Sequence, residues 1–299
     1  MSYRLEAEEK PTAGIRRIAL ERAERAAERL REARAAEDPA ACIHAARKDL
    51  KKLRAAIRLI RRDLGDDLYQ AANERYREAG RLLAASRDAE VKVETLEALY
   101  GRFSDRLEPA DITGWLEELR RERDRAVRAA GDADSIEAAL AAVERGRTRI
   151  ETWSLRSDSW KLVGPGIDRA YRRGRREMRR AAEDPNKADM HQWRKRAKDL
   201  WYHLRILRDA RPKALRDSLT WADELADALG DHHDLTVLRD DLLRRDLPLL
   251  ERPALVAAID GRQEELAATA FDLGKRLYAR KPKAFRRRMR RGWKKWRKG

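Results

Sequence analysis

The sequence predicts an all-α protein, two pseudo-symmetric helical bundles arising from an internal duplication. Three observations lead there: a phrase that occurs twice, apolar residues recurring at helical spacing throughout, and no run of strand-like alternation. The phrase His44-Ala45-Ala46-Arg47-Lys48-Asp49-Leu50-Lys51-Lys52-Leu53 recurs as His191-Gln192-Trp193-Arg194-Lys195-Arg196-Ala197-Lys198-Asp199-Leu200, 147 residues later (191 minus 44). Its flanks recur too. Glu37-Asp38-Pro39 precedes the first copy and Glu183-Asp184-Pro185 the second; Leu83, Arg87, Asp88 and Val91 follow the first as Leu229, His233, Asp234 and Val237 follow the second. A repeat near half the chain length means two copies of one unit rather than a short-period solenoid. The 299 residues also match two units of ~150 each. The expected repeats are 1–157 and 158–299, joined through the aperiodic stretch Trp153 to Trp160.

Helices are expected at 12–36, 39–63, 66–85, 87–104, 112–130 and 133–153 in the first half. The second half reads as 165–183, 187–210, 212–230, 233–246, 253–280 and 283–297. Proline marks many of the starts, because its fixed φ suits the first helical position and its missing N–H costs nothing there. Pro11, Pro39, Pro165, Pro212, Pro253 and Pro282 each stand before such a pattern, and Asp38 adds an acidic cap before the first motif helix. In the last segment Phe285, Met289, Trp293 and Trp296 recur at helical spacing, which predicts a packed amphipathic helix rather than a loose basic tail.

Charge narrows the function. The chain carries 70 Lys+Arg against 53 Asp+Glu, a net +17, and no acid follows Asp272 while fourteen cations do. On a helix, His44, Arg47, Lys48, Lys51, Arg54 and Arg58 fall on one face, about a third of a turn from the apolar stripe Ala46, Leu50, Leu53, Ile57 and Ile60. In the second copy His191, Arg194, Lys195, Lys198 and Arg205 stand beside Trp193, Ala197, Leu200, Leu204 and Leu207. A further helix repeats the pattern without histidine: Arg169, Arg172, Arg173, Arg176 and Arg180. Such stripes repel themselves and await a polyanion, whereas an ordinary solvated face intersperses acids with bases, as Glu21 to Arg34 does.

The two histidine-headed phrases, each followed by an Asp-x-x-Val element, and the basic C-terminal helix resemble the conserved histidine α-helical domain (CHAD) family. The resemblance implies an all-helical fold of two bundle-like halves and binding of inorganic polyphosphate along a basic surface or channel between them. It places the phosphate contacts at Arg17, His44, Arg47, Lys48, Lys51, Arg54 and Arg58, and at His191, Arg194, Lys195, Lys198 and Arg205. The arginines of the 165–183 helix (Arg169, Arg172, Arg173, Arg176), with Arg286 and Arg290, complete the expected polyphosphate-binding set. This sequence departs from a symmetric pattern at two positions, with Trp201 matching Arg54 and Asp199 matching Lys52.

No catalytic, cofactor or metal site is expected. Glu6-Ala7-Glu8-Glu9-Lys10 matches the Glu-x-Glu-x-Lys signature of triphosphate tunnel enzymes, but that chemistry needs alternate carboxylates on strands of a closed barrel, and no strands are foreseen. His232-His233-Asp234 reads as structural, since its counterpart in the first half is Arg87 rather than a ligand. The lone Cys42 allows no internal disulfide and fits a reducing compartment. No apolar run suggests a signal peptide or membrane span, so a cytoplasmic protein is expected. Polyphosphate granules and their proteins are the address and partners that polyphosphate binding would bring. Two other classes remain open: a nucleic-acid binder gripping only the phosphate backbone, with nucleic acid otherwise a non-specific competitor, and a granule scaffold. The motif histidines either donate to phosphate or order the helix starts.

Overall fold

The computed structural model describes residues 3–130, 133–183, 186–210, 213–245 and 252–298, and these form helices without any strand. The first half holds α1 (Pro11–Ala35), α2 (Ala40–Leu59), α3 (Arg61–Leu64), α4 (Asp66–Leu82), α5 (Ala85–Arg102), α6 (Pro109–Ala130) and α7 (Ala133–Glu151). The second holds α8 (Trp160–Glu183), α9 (Lys187–Ile206), a 3-10 turn (Lys213–Leu215), α10 (Ser218–Arg244), α11 (Arg252–Leu277) and α12 (Pro282–Trp296). Helices α1, α2, α4 and α7 pack on one another, as do α8, α9, α10 and α11, while α5 pairs with α6 and leans on α10. The expected boundary at 157/158 falls in the connection between α7 and α8.

Alanine dictates the closeness of the first group. Ala19, Ala23, Ala26, Ala27 and Ala33 line the buried side of α1 and leave no side chain long enough to hold α2 and α7 apart. The Asp38 side chain accepts the Ala40 amide at 3.0 Å, so the first motif helix is capped from one residue further out than its N-cap, Pro39. Its counterpart, Asp184-Pro185, lies outside the described residues; there Asn186 is the N-cap, accepting from the Asp189 amide at 2.9 Å.

Three expected boundaries need correction. Helix α2 stops at Leu59 rather than 63; Ile60 leaves helical geometry (φ −101°, ψ 13°) and α3 turns away, closed by Gly65 at φ 81°, a conformation an L side chain resists. Helix α8 starts at Trp160, five residues before Pro165, which sits inside it and forfeits only one early hydrogen bond. The segments expected at 212–230 and 233–246 are one helix, α10, because nothing between Gly230 and His233 breaks it and Thr236 ties back to the His232 carbonyl at 2.9 Å. Pro212 and the last expected residue, 246, lie outside the described residues. Helix α12 is packed as foreseen, with Phe285, Met289 and Trp293 buried against α8.

The motif helices meet where the halves join. The buried His203 ring donates Nε2–H to the Ala55 carbonyl at 3.0 Å, and Arg58 pairs with Asp199 at 3.0 Å. As α2 advances from 55 to 58 its partners on α9 retreat from 203 to 199, so the helices run in opposite senses where they touch. Burial pushes the His203 pKa down to about 4, which keeps the ring neutral. The N-terminal strap seals this junction. Leu5 N–H donates to Ile206 O at 2.9 Å, and the Tyr3 hydroxyl to Lys52 O at 2.8 Å.

Gly166 permits the approach of α8 to the end of α2, since a Cβ there would stand 2.0 Å from the Leu59 carbonyl oxygen. Backbone cannot swing aside, so Gly166→Ala is expected to cost about 2–4 kcal/mol of stability, whereas Gly101→Ala, with nothing within 4 Å, should gain up to about 1 kcal/mol. Denaturant midpoints of the two variants check this; equal midpoints would contradict the packing described.

Candidate anion-binding site

The crossing of α2 and α9 brings the two phrases into one basic site. Lys48, Lys51 and Lys195 are exposed and His44, Arg47, His191, Arg194 and Lys198 half-buried; the apolar stripes behind them are buried in the core. Lys48, Lys51, Arg194, Lys195 and Lys198 have no carboxylate within ion-pair distance among the described residues. Lys51 reaches solvent, yet protein crowds its ammonium group. That crowding, with Arg47, Lys198 and Arg194 nearby, pushes its pKa down to about 8. Burial also lowers Lys198, with Arg194 acting in the same direction.

The site is not symmetric. His44 is lowered by burial and by Arg87, Lys48 and Lys51. His191 instead stacks on His233, ring centres 4.4 Å apart, and its buried Nδ1 has no hydrogen-bond partner. Across from Arg194 and Lys198, α10 presents Asp227, Asp231 and Asp234, and burial raises the last two. Counting back 146 residues, Arg81 stands where Asp227 does. The second half of the site therefore faces three such carboxylates, whereas Asp88 is the acid nearest Arg47 and Lys51 in the first. The two Asp-x-x-Val elements face each other as well: Arg87 and Val91 of α5 share a cavity of about 370 Å³ with Asp234 and Leu235 of α10.

Several expected contacts are already engaged. Arg17 binds Glu9 (2.7 Å) and Glu21 (3.2 Å) and donates to the Arg4 carbonyl, which holds its pKa above the ordinary range. It anchors the N-terminal strap, away from the unpartnered cations. The Glu-x-Glu-x-Lys match lies in that strap, outside any strand. Arg47 donates to the Leu83 carbonyl and stands 3.7 Å from Asp88. Arg54 donates to Asn73 at 3.2 Å, and burial drops its pKa to about 10. Arg58 is held by Asp199, the residue that breaks the symmetric pattern. Arg205 lies over the rings of Trp201 (4.8 Å) and Tyr3 (5.6 Å).

The α8 stripe is not a row of free cations either. Arg172 pairs with Asp168 (3.3 Å), Arg176 with Glu177 (2.7 Å) and Arg180 with Asp189 (2.8 Å); Arg169 and Arg173 have no ion-pair partner among the described residues. Spacing along one helix hid these acids, which lie one or four residues off the stripe or on α9. Arg169 and Arg172 join Arg286 and Arg290 around a second cavity of about 1170 Å³, between α3, α8 and α12. That cavity also takes in Arg61, Arg62, Lys161, Arg287 and Lys294, none of them foreseen. The i, i+3, i+4 spacing of Arg58, Arg61 and Arg62 was the available signal. Among the described residues no cluster of three or more His, Cys, Asp or Glu is arranged to hold a metal ion, and no helix is long and apolar enough to cross a membrane.

The CHAD domain family model matches residues 8–243, which end within α10, so α11 and α12 lie beyond it. Among solved structures, the CHAD domain from the plant Ricinus communis superposes with a TM-score of 0.58 at 18% identity, over 96% of this chain and 93% of that one. No curated protein matches the sequence.

Lys51 and Lys198, both lowered in the fold, bind fewer protons than in the unfolded chain between about pH 8 and the ordinary lysine value of 10.5. Stability should therefore rise with pH from about 8 until the tyrosines begin to titrate near 10. Urea midpoints across that window should show the rise, and Lys51→Met/Lys198→Met should flatten it; an unchanged slope in the variant would refute the crowding of these two lysines.

Proposed function

The chain belongs to the CHAD domain family, and from that premise we propose that it is a non-catalytic binding module for inorganic polyphosphate, which lies across the α2–α9 crossing. One observation supports this most: Lys48, Lys51, Arg194, Lys195 and Lys198, from both halves, gather at the crossing without carboxylate partners within ion-pair distance. Holding such charges together costs folding free energy, and an anion of high linear charge density removes that cost. Polyphosphate offers an oxygen-rich anion at every link, matched to charge-assisted hydrogen bonds from Lys and Arg. The motif helices rise ~1.5 Å per residue, so His44 to Lys51 spans about 10 Å, room for several consecutive phosphates. Counterion release adds to affinity and makes it fall with salt.

On this reading the two packed helix groups, 1–157 and 158–299, are copies of one unit that contribute facing halves of a single site. His44 and His191 head their stripes as neutral donors at neutral pH, since burial lowers both. Polyphosphate then serves as an address, placing the protein at cytoplasmic granules beside granule proteins.

Competition between long-chain polyphosphate and duplex DNA or RNA over a salt series tests the assignment. Polyphosphate should win at every salt, and Lys51→Glu/Lys198→Glu should weaken it about 100-fold or more. Equal competition by DNA with an unaffected variant would make the protein a backbone-only nucleic-acid binder instead.

A further inference from the structure

We propose that the cavity between α3, α8 and α12 is a second, independent anion site, for a compact oligophosphate of three or four linked phosphates, free or carried on a nucleoside. Arg62, Lys161, Arg169, Arg287, Arg290 and Lys294 surround it, none with an ion-pair partner among the described residues. Lys283 adds a seventh such charge. The two carboxylates in the wall are already engaged. Asp168 stands 3.3 Å from Arg172 and 3.8 Å from Arg286, and Asp63 accepts the Arg156 amide at 2.8 Å. The cavity's charge is therefore uncompensated from within.

Arg58 lines the cavity's edge while pairing with Asp199 at the crossing, but the shape of the two places differs. At the crossing the cations follow two helix faces, as a long chain requires. Here they converge from three elements on one volume of about 1170 Å³, ample for a small ligand of many negative charges. Ser159, Trp160 and Lys161 open α8 in the cavity wall, so the positive end of a 24-residue helix dipole adds to the field. Arginine forks can each take two phosphate oxygens. The Trp160 indole lines the same wall, half-exposed and 5.8 Å from Trp293, and offers a face to a nucleobase if the phosphates carry one. Helix α12, beyond the residues matched by the family model, supplies four of the seven unpartnered cations.

Calorimetric titration of the full chain with inorganic tripolyphosphate, and separately with ATP in EDTA, tests the site. Three proteins are compared: wild type, Arg287→Glu/Lys294→Glu in the cavity and Lys51→Glu/Lys198→Glu at the crossing. Wild type should bind one tripolyphosphate tightly per chain, with any second binding at the crossing weaker because a short chain engages few of its cations. The cavity variant should bind the tight one about 100-fold more weakly, and the crossing variant within about threefold of wild type. No binding by wild type, an unchanged cavity variant, or an equal loss in the crossing variant each overturns the proposal. Long-chain binding by the crossing variant reports on the other site separately, so either reading fails without the other. Should the cavity variant not fold, Arg62→Glu/Arg169→Glu replaces it with the same expected loss. ATP binding tighter than tripolyphosphate, and weakened by Trp160→Ala, assigns a nucleotide. Tripolyphosphate at least as tight, and indifferent to Trp160→Ala, assigns the bare oligophosphate.

Discussion

The α2–α9 crossing is the constraint on which the rest depends. One neutral hydrogen bond, His203 to Ala55, and one ion pair, Arg58 to Asp199, join helices from opposite halves. The interior behind them is continuous from α1 to α12. Because the contact is made by core-facing residues and by Asp199, the basic faces are turned to the same side rather than buried against each other. Had Asp199 been a lysine, as Lys52 is at the matching position, Arg58 would face a like charge at the tightest point of the junction. The break in symmetry is what lets two cationic helices touch.

That arrangement has an energetic consequence. Elsewhere the fold disposes of its excess charge by pairing: Arg22 with Asp49, Lys92 with Glu122 and Asp241, Arg245 with Glu118, Glu122 and Asp241. Buried or half-buried cations are tolerable only with such partners. At the crossing and around the junction cavity the pairing stops, and the cations left over are gathered close to one another, with Arg194 and Lys198 half-buried and the rest exposed. Sites that raise the free energy of the empty protein in this way gain correspondingly when an anion arrives.

Much of this was legible in the residues. The i, i+3, i+4, i+7 spacing behind each histidine placed the cationic faces correctly, because spacing alone decides which side chains share a helix face. Phe285, Met289 and Trp293 likewise announced the packing of α12. What the residues concealed was tertiary. Pro165 reads as a start and proved internal, since the space Gly166 leaves for the Leu59 carbonyl matters more than one lost hydrogen bond. The partners of Arg17 were hidden too, since the path of the strap is what brings Glu9 to it. The junction cavity gathers residues from around 60, 160 and 290, and no pattern along a single helix reveals a convergence of three.

The proposed function turns on whether a polyanion neutralises the crowded cations around Lys51. Nitrogen-detected NMR of the lysine ammonium groups, titrated with pH in the absence and presence of long-chain polyphosphate, tests this most directly. Lys51 should titrate near about 8 in the free protein and move above its ordinary value near 10.5 in the complex, because the anion favours the charged form. A Lys51 that titrates ordinarily when free, or that ignores saturating polyphosphate, would contradict the account.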